Sequence, residues 1–173
     1  MSRQQPLYNK IQLLVSKMKQ QNLIIIYLVA ANSLLSCSCS SPLIKVSPEH
    51  FSDTSTITIT GNAASGNKGL LGFKGPVFVH VGLITDSSVN PNQWRYVKFK
   101  WGSTEEAARA IPAGDNRWNY TIPNIREFFG VKQNEKIERL AILFREGNCV
   151  DTFCRVLRNL DKSDLFIPID QEK

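Results

Sequence analysis

From residue 55 onward, hydrophobic and polar positions alternate mostly with a period of two. Residues 55–60 (STITIT) set Ile57 and Ile59 between threonines, the pattern of a half-buried strand with one wet face. Residues 76–85 (PVFVHVGLIT) are nearly all apolar, which predicts a central strand buried on both faces. Residues 94–101 (WRYVKFKW) alternate Trp94, Tyr96 and Lys98 against Arg95, Val97, Phe99 and Trp101, predicting a strand with aromatics on one face. Trp118, Tyr120 and Ile122 share one face of a short strand over 118–122, and 138–144 (ERLAILF) and 165–169 (LFIPI) read as the last two strands. Pro168 lacks a ladder donor, so the final strand belongs at an edge.

Between these runs the chain is punctuated. Gly61, Gly66, Gly69, Gly72 and Gly75 mark a mobile loop, and residues 86–93 a polar turn containing Pro91. Residues 104–110 (TEEAARA) suit one or two helical turns, with Ser103 or Thr104 as the cap, Glu105 and Glu106 near the positive end, and Pro112 and Gly114 as stops. Asn124 caps a brief helix through Phe129, closed by Gly130. No internal repeat occurs. Short strands with turns about every 8–12 residues predict an all-β antiparallel sandwich with one or two short helices.

The first third of the chain is different. Residues 23–31 are an unbroken apolar run of nine, too short for a bilayer span of about 20 residues but within the ~7–15 of a secretory h-region, with Lys17 and Lys19 upstream as its positive flank. A buried core helix would leave those lysines and the small-residue exit unexplained. The exit, Leu34-Leu35-Ser36-Cys37, resembles the lipobox of bacterial lipoproteins, in which an apolar residue and small residues precede a lipidated cysteine. The resemblance implies cleavage before Cys37 and a lipid on it; Leu35 is bulkier than the family's usual residue there, and Cys39 fits worse. Met18 opens an ordinary signal peptide by itself and is a candidate start. The expected organisation is a signal peptide over 1–36, a lipidated tether rich in Ser and Pro over 37–50, and the sandwich over 51–170.

Processing changes the electrostatics. The chain of 173 residues carries a formal charge of +6, which invites a nucleic-acid reading. Arg3, Lys10, Lys17 and Lys19 precede Cys37 while all 15 acids follow it, leaving 17 bases and a net charge of +2. No basic run or stripe remains, so no nucleic-acid partner is expected. At 173 residues the chain also falls short of the about 250 a (β/α)₈ barrel needs, and 42% hydrophobic content is ample for a core.

The runs 77–85 (VFVHVGLIT), 94–102 (WRYVKFKWG), 118–122 (WNYTI), 125–131 (IREFFGV), 141–145 (AILFR) and 164–167 (DLFI) resemble the immunoglobulin-like module that precedes the catalytic domain in secreted amylase-family proteins of Sus-type polysaccharide-utilisation systems. The similarity covers roughly residues 76–169. It departs where that family runs Phe-Arg-Asn-Ala-Asp-Gly, for here residues 144–149 read FREGNC. The resemblance implies an immunoglobulin-like sandwich and a free-standing accessory module, with glycan chemistry inherited by association.

An exported chain meets an oxidising compartment, so Cys149 and Cys154 are a candidate disulfide across a short loop, the alternative being two unpaired thiols, one buried. No metal or cofactor is expected, because His50 and His80 lack ligand spacing to the cysteines. Nucleophilic catalysis needs a nucleophile, base and orienter in reach. His80 lies within a strand and His50 in the tether, and the carboxylates Glu105, Glu106, Glu135 and Glu138 read as solvated helix-end or strand-edge charges. The chain is therefore expected to be non-enzymatic. Trp94, Tyr96, Trp101, Trp118 and Tyr120 are the candidate glycan platform, since aromatic faces stack on pyranose rings. Trp101, before Gly102 at a strand end, is the first choice for an exposed one.

The function that follows is an anchored accessory lipoprotein of the bacterial cell envelope that assists α-glucan binding or utilisation. A structural or protein-partner-binding lipoprotein, and the remnant of a truncated glycoside hydrolase, are the alternatives. The family's surface-export signal is an acidic cluster just after the lipidated cysteine, and residues 38–41 (SCSS) contain no acid, which favours a periplasm-facing anchor in the outer membrane.

Overall fold

A computed structural model of the chain describes residues 13, 14, 16–19, 41–147, 149 and 153–170. They fall in two units, Met1–Ser40 and Ser41–Lys173. In the first, residues 13, 14 and 16–19 are helical. The apolar run 23–31, Cys37 and Cys39 lie outside the described residues. No described helix is long and apolar enough to cross a membrane.

The second unit is all-β. Its strands are β1 (Ile44–Ser47), β2 (Ile57–Asn62), β3 (Val77–Thr85), β4 (Arg109–Pro112), β5 (Arg117–Ile122), β6 (Ile137–Glu146), β7 (Val156–Leu157) and β8 (Leu165–Pro168). One 3₁₀ turn, Glu106–Ala108, and one short helix, α1 (Ile125–Phe129), complete it. The sheet order is β1-β2-β5-β4-β3-β6-β7 with β8 beside β6, and every pairing is antiparallel. β4 is the joint, because Arg109 and Ala110 pair with β3 while Ile111 and Pro112 pair with β5. The sheet curls there, and its two halves face each other. A Cβ on Gly61 of β2 would sit 2.9 Å from the Phe144 ring of β6, so only glycine permits that approach.

The core lies between the halves. Ile57 and Ile59 of β2, Val79, Val81 and Leu83 of β3, and Leu140, Ile142 and Phe144 of β6 are all fully buried. Each such side chain contributes roughly 1.5–3 kcal/mol relative to exposure. β3 is buried on both faces, as its continuous apolar run predicts. α1 starts where Asn124 accepts the Glu127 N–H at 3.3 Å and ends at Gly130, whose φ of 70° closes it.

Four expectations need correction. Residues 44–47, read as tether, form β1: Ile44 and Val46 pack on the core and alternate with exposed Lys45 and Ser47, a period that the surrounding Ser and Pro obscured. Residues 104–110 yield the single 3₁₀ turn, but its cap position is Glu105, without a side-chain cap, rather than Ser103 or Thr104, and the chain then extends into β4; Ala108 of the turn and Ala110 of β4 are buried. The glycine-rich loop is fastened along β7: Asn67 donates to Val156 O at 2.9 Å and accepts the Arg158 N–H at 3.0 Å. A Cβ on Gly69 would fall 2.1 Å from Val156 O, so this loop shields an edge that would otherwise be open.

The fourth correction concerns residues 94–101, which are not a strand. Arg95 and Leu83 exchange backbone hydrogen bonds at 2.7 and 2.8 Å, and Lys98 N–H reaches Val81 O, so the segment begins to pair along β3. Tyr96 then adopts φ of 50°, in the left-handed region, which breaks the ladder. The chain folds over the outer face of β3 instead.

Candidate functional site

Along β3 and β6, register separates two faces. Val79, Val81 and Leu83 point inward opposite Phe144, Ile142 and Leu140; Phe78, His80 and Gly82 point outward opposite Arg145, Leu143 and Ala141. Residues 94–105 cover that outer face. Gly82 makes the contact possible, since a Cβ there would lie 3.2 Å from both the Trp94 ring and the Val97 side chain.

The covering segment is held at two points of opposite charge. At one, Glu135 is 7% exposed and accepts from Thr85 Oγ1 at 2.6 Å, Tyr96 Oη at 2.5 Å and Arg95 Nε at 3.1 Å. This overturns its reading as a solvated charge. The hydrogen bonds from Thr85 and Tyr96 hold its carboxyl below the usual glutamate range, and Glu135 in turn pushes the Tyr96 phenol up. These bonds compensate the strained φ of Tyr96.

At the other point Arg145 is fully buried. Its guanidinium donates to Glu146 O at 3.0 Å, Gly147 O at 3.2 Å and Ser103 O, and lies 5.7 Å from the Trp101 ring and 5.9 Å from that of Phe78. Carbonyl dipoles and aromatic faces take the place of a carboxylate around this cation. Burial draws its pKa down from the ordinary arginine value. One side chain thereby joins the end of β6 to the turn that carries Trp101.

The cysteines reinforce the same corner. Cys149 and Cys154 form a disulfide with Cα atoms 5.0 Å apart. A Cβ on Gly102 would lie 2.7 Å from the Cys149 carbonyl oxygen, and Gly102 has φ of 79°. Glycine is required there twice over, by conformation and by space.

His80 lies between two indoles. Its ring stacks on Trp94 at 5.3 Å and meets Trp101 edge-on at 5.1 Å. Burial, then the Arg145 charge, lowers its pKa, and Nδ1 is buried without a hydrogen-bond partner. An imidazole in this position packs the two indoles. The row extends through Phe166, edge-on to Trp94 at 6.3 Å, with the Arg139 guanidinium 4.7 Å from the Phe166 ring.

Of the five aromatics predicted as a platform, the structure brings Trp94, Tyr96 and Trp101 into this cover and sends two into the core. Trp118 and Tyr120 are 5% and 4% exposed, and Tyr120 Oη donates to Ala107 O at 2.8 Å. Burial pushes the Tyr120 phenol up to about 12. Their side chains face the core because β5 alternates inward Trp118, Tyr120 and Ile122 with outward Asn119 and Thr121. Trp94 and Tyr96 are half-buried, while Trp101 is 36% exposed. At the same corner a groove of about 450 Å³ is lined by Phe73, Pro76, Phe78, Thr104, Glu146 and Gly147; Trp101 itself is not in its wall, and Arg145, against both the Trp101 and Phe78 rings, connects the two.

Sequence reasoning missed Glu135 and Arg145. The signal for Arg145 was present: a charge within the apolar run 140–145, at a position paired with Phe78, requires a built environment. Among the described residues, no group of three His, Cys, Asp or Glu side chains is placed to hold a metal. No family model matches the chain, and no curated protein matches it.

Proposed function

We propose that this chain is a non-catalytic accessory lipoprotein of the bacterial envelope, anchored through Cys37, whose domain is an immunoglobulin-like sandwich that binds α-glucan. The observation that carries the binding half is Trp101. Its indole is exposed over a third of its surface yet immobilised by His80, Arg145 and the Gly102 turn, and the same Arg145 lies against Phe78, which lines a groove with Phe73, Thr104 and Glu146. A fixed aromatic face next to hydrogen-bonding groups suits a pyranose ring, because little rotamer freedom is lost on binding. The anchor and the envelope location rest on the resemblance of residues 34–37 to a lipobox.

Affinity electrophoresis of residues 41–173 through gels containing starch, pullulan, dextran or no polymer tests this reading. Retardation by an α-glucan, abolished by Trp101→Ala with the circular dichroism spectrum unchanged, is the expected result. Equal mobility in every gel would remove the glycan reading for those polymers. A second reading, docking of an envelope protein, is favoured by Ile111, which is 69% exposed on β4; Ile111→Ser would then abolish capture of that partner and leave any glucan retardation intact.

A further inference from the structure

We propose that the polar outer face of β1, β2 and β5 is the side on which this domain meets its membrane, with Lys45 and Arg117 taking anionic lipid headgroups; the inference rests on the anchor reading above. A groove of about 460 Å³ opens on this face, lined by Ser41, Lys45, Thr60, Asn62, Arg117 and Asn119 among others. Lys45, Thr60 and Asn119 form one cross-strand row, and Asn62 and Arg117 form another. Two cations line the groove and no carboxylate does. Among the described residues, neither cation is in an ion pair. Arg117 instead donates to Ser41 Oγ at 3.3 Å. Asp115, in the turn between β4 and β5, does not line the groove.

Chain length identifies the occupant. Cys37 stands four residues before Ser41, and four residues span at most about 14 Å when fully extended. A cysteine lipidated at the bilayer surface therefore keeps Ser41, and the two cations beside it, within a short reach of the headgroups. Lys and Arg gain from anionic lipid only within about a Debye length of the surface, roughly 10 Å at 0.1 M salt, which is comparable to this reach. The opposite end of the same strands is marked by Lys132, exposed just beyond α1, where Ile57 pairs with Ile122.

The test uses residues 37–173 with Cys39→Ser, coupled through the Cys37 thiol to a maleimide-headgroup lipid in vesicles. Cys149 and Cys154 are closed in the disulfide, and every core residue lies in Ser41–Lys173, so the coupling is selective and the domain is whole. A membrane-impermeant acylating reagent then reports each lysine by mass spectrometry, on phosphatidylcholine vesicles and on vesicles enriched in phosphatidylglycerol. At low salt Lys45 should be acylated roughly fivefold more slowly on the anionic vesicles, with Lys132 unchanged and the protection abolished by high salt or by Arg117→Glu. Equal Lys45 rates on the two lipids would overturn the proposal. Coupling supplies the anchor chemically, so this outcome is independent of whether Cys37 is lipidated in cells; the mass of the native N-terminal peptide decides that question separately.

Discussion

The two outer faces of the curled sheet are both built from antiparallel pairs, yet one is covered and the other bare. On β3 and β6 the outward positions are Phe78, His80, Gly82, Leu143 and Arg145, and residues 94–105 lie across them. On β2 and β5 they are Thr58, Thr60, Asn119 and Thr121, which bond to one another: Thr58 to Thr121 at 2.9 Å and Thr60 to Asn119 at 2.8 Å. An apolar outer row demands a second layer, whereas a row of hydroxyls and amides is satisfied by its neighbours and water. The exposed indole is a product of the covered face, because Trp101 belongs to the cover itself and is fixed from below.

The largest effect should come from breaking the cover at Arg145. Arg145→Met keeps much of the apolar stem but leaves the Ser103, Glu146 and Gly147 carbonyls without their buried donor. Unpaired buried polar groups cost about 1–3 kcal/mol each, so a loss of about 3 kcal/mol or more is expected in urea denaturation. Retention of full stability would mean that these carbonyls are solvated, and that the guanidinium does not hold the cover down.

Gly102→Ala attacks the same corner more gently. The left-handed φ and the 2.7 Å approach to the Cys149 carbonyl together predict destabilisation of about 2 kcal/mol. Loss of glucan retardation should accompany it, because the turn sets the Trp101 indole. If stability falls while retardation survives, the platform does not depend on that turn.

The carboxylate end of the cover is separable by pH. Hydrogen bonds from Thr85 and Tyr96 depress the folded-state pKa of Glu135 below its ordinary value of 4.5. Its contribution to stability is therefore fully present above that value and is lost as pH falls through the depressed one. Stability measured below pH 4.5 should decline more steeply in the wild-type protein than in Glu135→Gln, whereas at neutral pH the variant should be the less stable of the two, by less than Arg145→Met. Parallel pH profiles would show that the carboxylate is not engaged by Tyr96 and Thr85.

This division between faces also decides what could be read in advance. Period-two alternation exposed β2 and β5, continuous apolar runs exposed β3 and β6, and Pro168 marked β8 as an edge, because those strands obey local pattern rules. β1 escaped because four residues between serines and prolines carry little pattern, and their burial depends on Gly61 and Thr60 far along the chain. Residues 94–101 alternate like a strand, but Glu135, about forty residues away in sequence, captures Tyr96 and turns the segment over the sheet. The site shows the same limit. Trp101 was legible as an aromatic before a glycine, while Trp118 and Tyr120 could not be told from it until β5 had a partner on each side. Arg145 and Glu135 become interpretable only when the cover they hold is in place.

The smallest effect belongs to the bare face, and it sharpens the comparison most. Thr58→Val together with Thr121→Val removes a registered, solvent-exposed pair of hydroxyls and substitutes side chains with strong strand preference. The lost hydrogen bond competes with water at no disadvantage, so the change in stability should stay within about 0.5 kcal/mol, and glucan retardation should not move. A loss as large as that of Gly102→Ala would mean that the bare face needs its hydroxyl network as much as the covered face needs its clamps. A null result in stability with altered protection of Lys45 on anionic vesicles would instead assign those hydroxyls to the membrane side, since Thr58 and Thr60 share one outward row of β2 and Thr60 lines the groove beside Lys45.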